Sequence, residues 1–173
     1  MTNTAELVEQ EEIQQVEDSQ RDLYLTLHLH GEDYGIAISY VTEIIGIQKI
    51  TNIPDMPDFI KGVVNLRGRV IPVMDVRLCF GLPERDYDER TCIIVVEVDE
   101  QTTGLVVDRV DEVVEISAKQ IESVPQQKAE NNYIKGLGKV GADIKILLDV
   151  ESLVGFVKTV SNDLDQTGIE SED

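Results

Sequence analysis

Residues 60–81 read IKGVVNLRGRVIPVMDVRLCFG, and residues 134–155 read IKGLGKVGADIKILLDVESLVG. The second stretch is a weaker copy of the first, displaced by 74 positions. Ile60, Lys61, Gly62, Asp75, Val76 and Gly81 recur as Ile134, Lys135, Gly136, Asp149, Val150 and Gly155. Upstream, 35–45 (GIAISYVTEII) matches 104–114 (GLVVDRVDEVV) at an offset of 69. Both offsets fit one duplication with a five-residue difference in a loop. Two copies are too few for a solenoid, so the repeat reads as two similar small subdomains. Arg67 and Gly68 do not recur; Gly141 and Ala142 stand in their places. Residues shared by both copies belong to a shared fold. A residue present in one copy points to a job done by that copy.

The apolar pattern around these stretches is that of short strands. Leu23, Leu25, Leu27 and Leu29 alternate with Tyr24, Thr26, His28 and His30, which predicts a half-buried strand with a polar, solvent-facing side. A turn at 31–33 and a return over 34–38 complete a hairpin. The stretch 41–45 reads as a helical turn leading into a strand near 47–50, and Pro54 and Pro57 then break the chain. Strands over 60–66 and 69–74 flank a turn at Arg67-Gly68, 92–98 and 104–110 form a second hairpin around 99–103, and 144–148 is a further strand. Asp75 and Asp149 are placed to N-cap short helices that stop before Gly81 and Gly155. Residues 84–90 (ERDYDER) form a polar connector. Strands at this spacing with little helix favour small barrels or a sandwich, so the fold class is mainly β.

Composition sets outer limits. A chain of 173 residues with 42% hydrophobic content builds a real core as one ordinary domain or two small ones. No apolar run approaches the roughly 18–20 residues of a membrane span. The N-terminus, MTNTAELVEQEE, lacks a basic n-region and an apolar h-region, so no secretory leader is expected. Cys79 and Cys92 form no CxxC pair and make no disulfide framework; reduced thiols in a cytoplasmic setting are the default. The net charge is −19, of which 1–20 carry six carboxylates and 159–173 carry five, with no base in either. Both ends (1–20 and 158–173) read as acidic, flexible tails. Such acidity argues against nucleic acid and against anionic membrane surfaces.

Candidate chemistry is thin. Residues 136–141 match GxGxxG, but a strand follows where a dinucleotide site needs a helix. His28 and His30 share a strand face without a third ligand nearby, so no metal is expected. Asp75 and Asp149 occupy equivalent places in the repeat, which favours capping over acid–base work. Cys79 and Cys92 sit in apolar surroundings that favour packing over nucleophilic use. No GxSxG, HExxH or P-loop occurs. A binding module without catalysis or cofactor is the reading that remains.

The segment NLRGRVIPVMDVR (65–77), preceded by FIKGVV (59–64), strongly resembles the CheW family of bacterial chemotaxis coupling proteins. VTEI (41–44) and YIKGLG (133–138) fit the same family in order and spacing. The resemblance covers about residues 20–157 and extends to the regulatory domain of the kinase CheA and the front half of CheV. This chain lacks the length for a kinase core or a receiver domain, so a stand-alone adaptor fits. The resemblance implies two SH3-like five-stranded barrels packed together with short helices, the first at about 21–83 and the second at about 91–157. It implies an adaptor that joins the cytoplasmic tips of methyl-accepting chemoreceptors to CheA, with no cofactor. The adaptor is then cytoplasmic, held at membrane receptor arrays through its partners, with no membrane insertion of its own. The family's receptor-side positions fall on Val41, Glu43, Gly62, Arg67 and Val113. Arg67 is expected to pair with Glu43 at the edge of a groove between the barrels. The kinase is expected on the second barrel, with no contact residue assigned; the segment 122–132 carries no firm motif. A coupling protein of a non-flagellar chemosensory pathway and a small-molecule-binding β-barrel are the alternatives.

Overall fold

Three hairpins turn through two residues that both have positive φ: His30 (51°) with Gly31 (79°), Arg67 (52°) with Gly68 (85°), and Asp99 (50°) with Glu100 (65°). This is the type I′ geometry whose twist matches that of the flanking strands. The fourth, at Gly141 (φ 61°) and Ala142, has positive φ only at its first turn residue, the type II′ pattern. The computed structural model describes residues 4–124, 133–155 and 157.

Among the described residues, eleven strands follow in order. They are β1 (Leu23–Leu29), β2 (Glu32–Ala37), β3 (Val41–Gly46), β4 (Ile60–Leu66), β5 (Arg69–Asp75), β6 (Cys92–Val98), β7 (Gln101–Val107), β8 (Arg109–Glu115), β9 (Ile121–Glu122), β10 (Ile134–Val140) and β11 (Asp143–Leu148). Helix α1 (Thr4–Gln20) precedes them, α2 (Val76–Cys79) follows β5, and 150–155 are helical after β11. One sheet runs β8-β1-β2-β11-β10-β9 and the other β3-β6-β7-β5-β4.

These two orders expose the duplication. The second half repeats the first, with β6–β7, β8, β10 and β11 standing for β1–β2, β3, β4 and β5. Each sheet has the same order of equivalents, but its hairpin comes from the other half. β1–β2 sits between β8 and β11, and β6–β7 sits between β3 and β5. The splices are the parallel pairs β2–β11 and β5–β7. The expected division at about 21–83 and 91–157 therefore does not describe which strands build which sheet; each sheet draws on both halves. A short helix or loop between consecutive strands lets the chain cross over, and the apolar pattern alone cannot show that.

The repeat holds down to single hydrogen bonds. Asp75 N donates to Phe59 O (2.6 Å) and Asp149 N to Tyr133 O (2.7 Å). Leu78 N donates to Asp75 Oδ1 (3.4 Å) and Ser152 N to Asp149 Oδ1 (3.2 Å), so both aspartates are N-caps. β4–β5 and β10–β11 carry irregular pairing at the same place, between Ile60 and Gly62 and between Ile134 and Gly136.

The core lies in three layers. Val64, Ile71, Val73, Ile93, Val95 and Val106 fill the five-stranded subdomain. Tyr24, Ile116 and Leu147 fill the other. Between them Leu25, Leu27, Leu29, Met74, Ile94, Val96 and Leu105, with partners from the last helix, form the larger shared layer. Alternate residues of β6 thus enter different layers, which explains the unbroken run CIIVVEV: a strand buried on both faces needs no polar alternation.

Several expectations are corrected. The stretch 41–45 is strand rather than a helical turn, because Val41, Thr42, Ile44 and Ile45 are β-branched and the segment pairs with β6. No strand forms at 47–50. Tyr24 and Thr26 are buried, so the polar side of β1 does not face solvent over its first half. Within the stretch expected as an acidic flexible tail, Thr4–Gln20 is helical: Ala, Glu, Gln and Leu without Gly or Pro favour helix. Its residues 4–13 are exposed. The last helix continues through Gly155. The expected C-terminal tail lies outside the described residues.

Candidate protein-docking site

Five residues carry the expectation of a docking site, and the structure brings two of them into contact. Arg67 stands at the tip of the β4–β5 hairpin and Glu43 on β3. Arg67 Nη2 donates to Glu43 Oε1. The Arg67 side chain is 74% exposed and that of Glu43 26% exposed, so the pair sits at the surface with the carboxylate recessed. Val41 lies two residues before Glu43 on the same strand and packs at the margin of the shared core.

The backbone of Arg67 is the informative part. Its φ of 52° is left-handed, where a Cβ crowds the carbonyl and Gly, Asn or Asp are the usual occupants. The turn itself is secured elsewhere, by Gly68 and by the bond from Gly68 N to Asn65 Oδ1 (2.8 Å). The turn therefore does not call for arginine at this position, and its left-handed backbone disfavours any side chain with a Cβ there. What arginine adds is a long cationic side chain, held through Nη2 by the recessed Glu43 carboxylate and otherwise open to a partner.

Gly62 has a different explanation. It is buried, has φ 139°, and a Cβ there would collide with the Thr51 carbonyl oxygen. Val63 and Thr51 exchange backbone hydrogen bonds of 2.8 and 2.9 Å at this point. Gly136 has the same role, with a Cβ placed 2.8 Å from Ile121 Cγ2 and 3.0 Å from Glu122 O. Gly62 is a backbone-packing glycine, and any effect it has on a partner passes through the 51–63 contact.

Val113 is on the other sheet, on the edge strand β8, and is 48% exposed. Its repeat counterpart on β3, Ile44, is 43% exposed. Val70 (67%) and Ile144 (57%) form a second such pair beside the tips of equivalent hairpins. Sequence reasoning missed Ile44, Val70 and Ile144. Aligning the two halves does not single them out, because the same alignment pairs buried aliphatic residues such as Ile36 with Leu105 and Val76 with Val150.

The remaining candidates resolve into structure. His28 and His30 do not converge. His28 Nδ1 is 2.6 Å from Asp33, whereas His30 lies in the turn with its ring 3.3 Å from Arg77 Nη2. No group of three or more metal-binding side chains occurs among the described residues. Burial pushes the Cys79 thiol up, away from thiolate. The buried Asp75 also accepts from Tyr87 OH (2.8 Å), which ties the polar connector to α2; burial, then this bond, pushes the Tyr87 hydroxyl well up. Arg77, nearly buried, is 3.2 Å from Asp108, which also accepts from His30 N and Arg85. A surface cleft of about 640 Å³ lies between the 48–58 loop and residues 84–87, crossed by the Lys61–Glu84 pair (2.6 Å). It is open rather than a closed barrel cavity. No described helix is long and apolar enough to cross a membrane.

The profile of the CheW-like domain matches residues 23–157. The chain belongs to the CheW family. Chemotaxis protein CheW of Klebsiella aerogenes is 41% identical over 133 residues, covering 76% of this chain and 80% of that protein. Chemotaxis protein CheW of Helicobacter pylori is 32% identical over 140 residues, covering 80% and 85%. The crystal structure of scaffolding protein TtCheW from Thermoanaerobacter tengcongensis superposes with a TM-score of 0.70 at 35% identity, covering 74% of this chain and 88% of that one. The two-subdomain β-fold expected from the sequence is thus the CheW fold. Helix α1 falls before the family match begins at residue 23, so it is an extension of this chain beyond the matched domain.

Proposed function

We propose that this chain is a cytoplasmic, non-catalytic scaffold that couples the cytoplasmic tips of chemoreceptors to the histidine kinase CheA. CheW relatives named as chemotaxis proteins and a relative titled a scaffolding protein support this reading. The observation that carries the docking site is Arg67, kept where the turn disfavours it and paired with a recessed carboxylate. Receptor tips, as helical hairpins, meet the guanidinium together with the exposed aliphatic residues of the edge strands. Val41 and Glu43 shape that face, Gly62 keeps it in register, and Val113 extends it onto the second sheet. The regulatory domain of CheA takes another face, centred on the second subdomain.

The test is binding of a purified receptor cytoplasmic fragment and of the CheA regulatory domain to Arg67→Glu, Glu43→Arg and the double variant. Arg67→Glu is expected to lose the receptor fragment and keep the kinase domain. The charge-swapped double variant recovers part of the loss, since residues in one ion pair couple. Equal loss of both partners would make Arg67 a structural residue, and strict additivity would remove the functional role of the pair.

A further inference from the structure

His28 occupies a junction that no docking role explains. Its direct cross-strand neighbours are Asp33 on β2 and Arg109 on β8. Its Nδ1 lies 2.6 Å from Asp33 Oδ1. Its Nε2 lies 3.1 Å from Arg109 Nη2 and 3.5 Å from Asp111 Oδ2. The second Asp33 oxygen accepts from Lys145 Nζ (2.9 Å) on β11. Four adjacent strands thus carry one row of charge, Arg109, His28, Asp33 and Lys145, with Glu32 next to Asp33 on β2 and Asp143 near Lys145. The next histidine in the chain, His30, lies in the turn beyond β1 and faces Arg77.

The chemistry of this row assigns two states. A carboxylate offers no proton at neutral pH, so Nδ1 carries the hydrogen and donates to Asp33. In the neutral ring Nε2 is then a lone pair, and Arg109 donates to it. A second proton turns Nε2 into a donor facing a cation. Arg109 is then repelled, and the acceptor within reach is Asp111, two residues further along β8. Histidine is the side chain whose charge changes between pH 5 and 8.

β8 is built to respond. It is the outer strand of its sheet. Its pairing with β1 is interrupted between Leu25 and Leu27, so that residues 111–112 are bulged opposite Thr26. The buried Thr26 hydroxyl holds that bulge by donating to Glu112 O (2.7 Å) and accepting from Glu112 N (3.0 Å). Bulges of this kind on edge strands re-aim the side chains beside them. Asp111, Glu112 and Val113 are all exposed.

We propose that His28 is a proton-operated latch on β8: neutral, it holds Arg109; protonated, it holds Asp111, and the exchange re-sets the bulged edge that carries Val113. The latch itself stands apart from the family reading; only its consequence for docking rests on that reading.

The test is an NMR titration of the full chain from pH 8 to 5.5. The expected result is an Nδ1-protonated ring at high pH and a shift of the Arg109–Val113 amides with the same midpoint as His28. His28→Gln abolishes those shifts, and His30→Gln leaves them. Arg109→Gln raises the His28 midpoint and Asp111→Asn lowers it, and these two variants serve if His28→Gln fails to fold. β8 amides that stay flat or follow another midpoint, or midpoint changes of the opposite sign, overturn the latch. Binding of a receptor fragment is expected to change over the same midpoint. If β8 titrates and binding does not follow, the latch stands and the docking role of Val113 falls.

Discussion

Replacing Arg67 with asparagine separates fold from function more cleanly than any charge reversal. The backbone of residue 67 is left-handed, at φ 52°, in a type I′ turn closed by Gly68 at φ 85°. Arginine there costs about 1 kcal/mol relative to residues that suit the conformation. Against this stands the pair with Glu43. With the arginine side chain 74% exposed, solvent and salt screen the pair to about 0–1 kcal/mol. The balance favours the variant by up to about 1 kcal/mol, a rise of about 2–4 °C in Tm for a chain of this size. Urea unfolding with a thermal scan measures the fold, and titration with a receptor fragment measures docking. The account expects a protein as stable as the parent or more so, with weakened receptor binding and unchanged kinase binding. Destabilisation beyond about 1 kcal/mol would show that the ion pair holds the hairpin to β3 and that the fold needs arginine after all. Full receptor binding by a stabilised variant would leave the exposed guanidinium without a purpose.

Three further outcomes follow from the geometry. Gly62→Ala strains a backbone at φ 139° and drives a methyl into the Thr51 carbonyl, so it destabilises by about 2–4 kcal/mol, and Gly136→Ala, with negative φ, by less; urea midpoints decide the order. The Lys145 ammonium beside Asp33 holds that carboxyl below its usual range, and Asp33 in turn pushes Lys145 up. Asp33 therefore stabilises the fold above the unfolded carboxylate value of about 3.9 and loses that contribution as pH falls through its lower folded value. Lys145 stabilises below about 10.4 and loses its contribution as pH rises through its higher folded value. Lys145→Met should flatten the acid limb of a stability-against-pH curve, and an unchanged limb would contradict the pairing. Because each sheet takes its hairpin from the other half, Val73→Ala and Leu147→Ala, in different layers, should both lower one shared unfolding transition; two separate transitions would show subdomains that fold alone.

Much of this architecture was legible because turns and caps are local. Gly68 between two apolar runs marks a turn, and Asp75 and Asp149 cap helices in both halves through bonds of the same pattern. The crossing of hairpins between halves was not legible. β1–β2 has the same alternation whichever sheet receives it, and only long-range parallel pairing with β11 decides. Thr26 misled for a related reason: a hydroxyl on a polar-looking face was buried because it satisfies a bulge in a strand 86 residues away. β3 does not declare itself in the sequence, because a single short β-branched stretch carries no sign of the strand it pairs with. At the docking site, the contact between Arg67 and Glu43 came from family resemblance. The left-handed backbone that gives the contact its meaning came only from the structure. The exposed aliphatic positions Ile44, Val70 and Ile144 were not readable either, since the aligned halves pair buried aliphatic residues in the same way and only the packing separates the two kinds.

The central claim is that one chain holds two partners at once. Sedimentation of a receptor cytoplasmic fragment with the CheA regulatory domain, with and without this protein, measures it directly. The account predicts that the kinase domain sediments with the receptor fragment only when the protein is present, and that Arg67→Glu leaves the kinase domain bound to the protein but in the supernatant. Mutually exclusive binding of the two partners, or binding of neither, would contradict it.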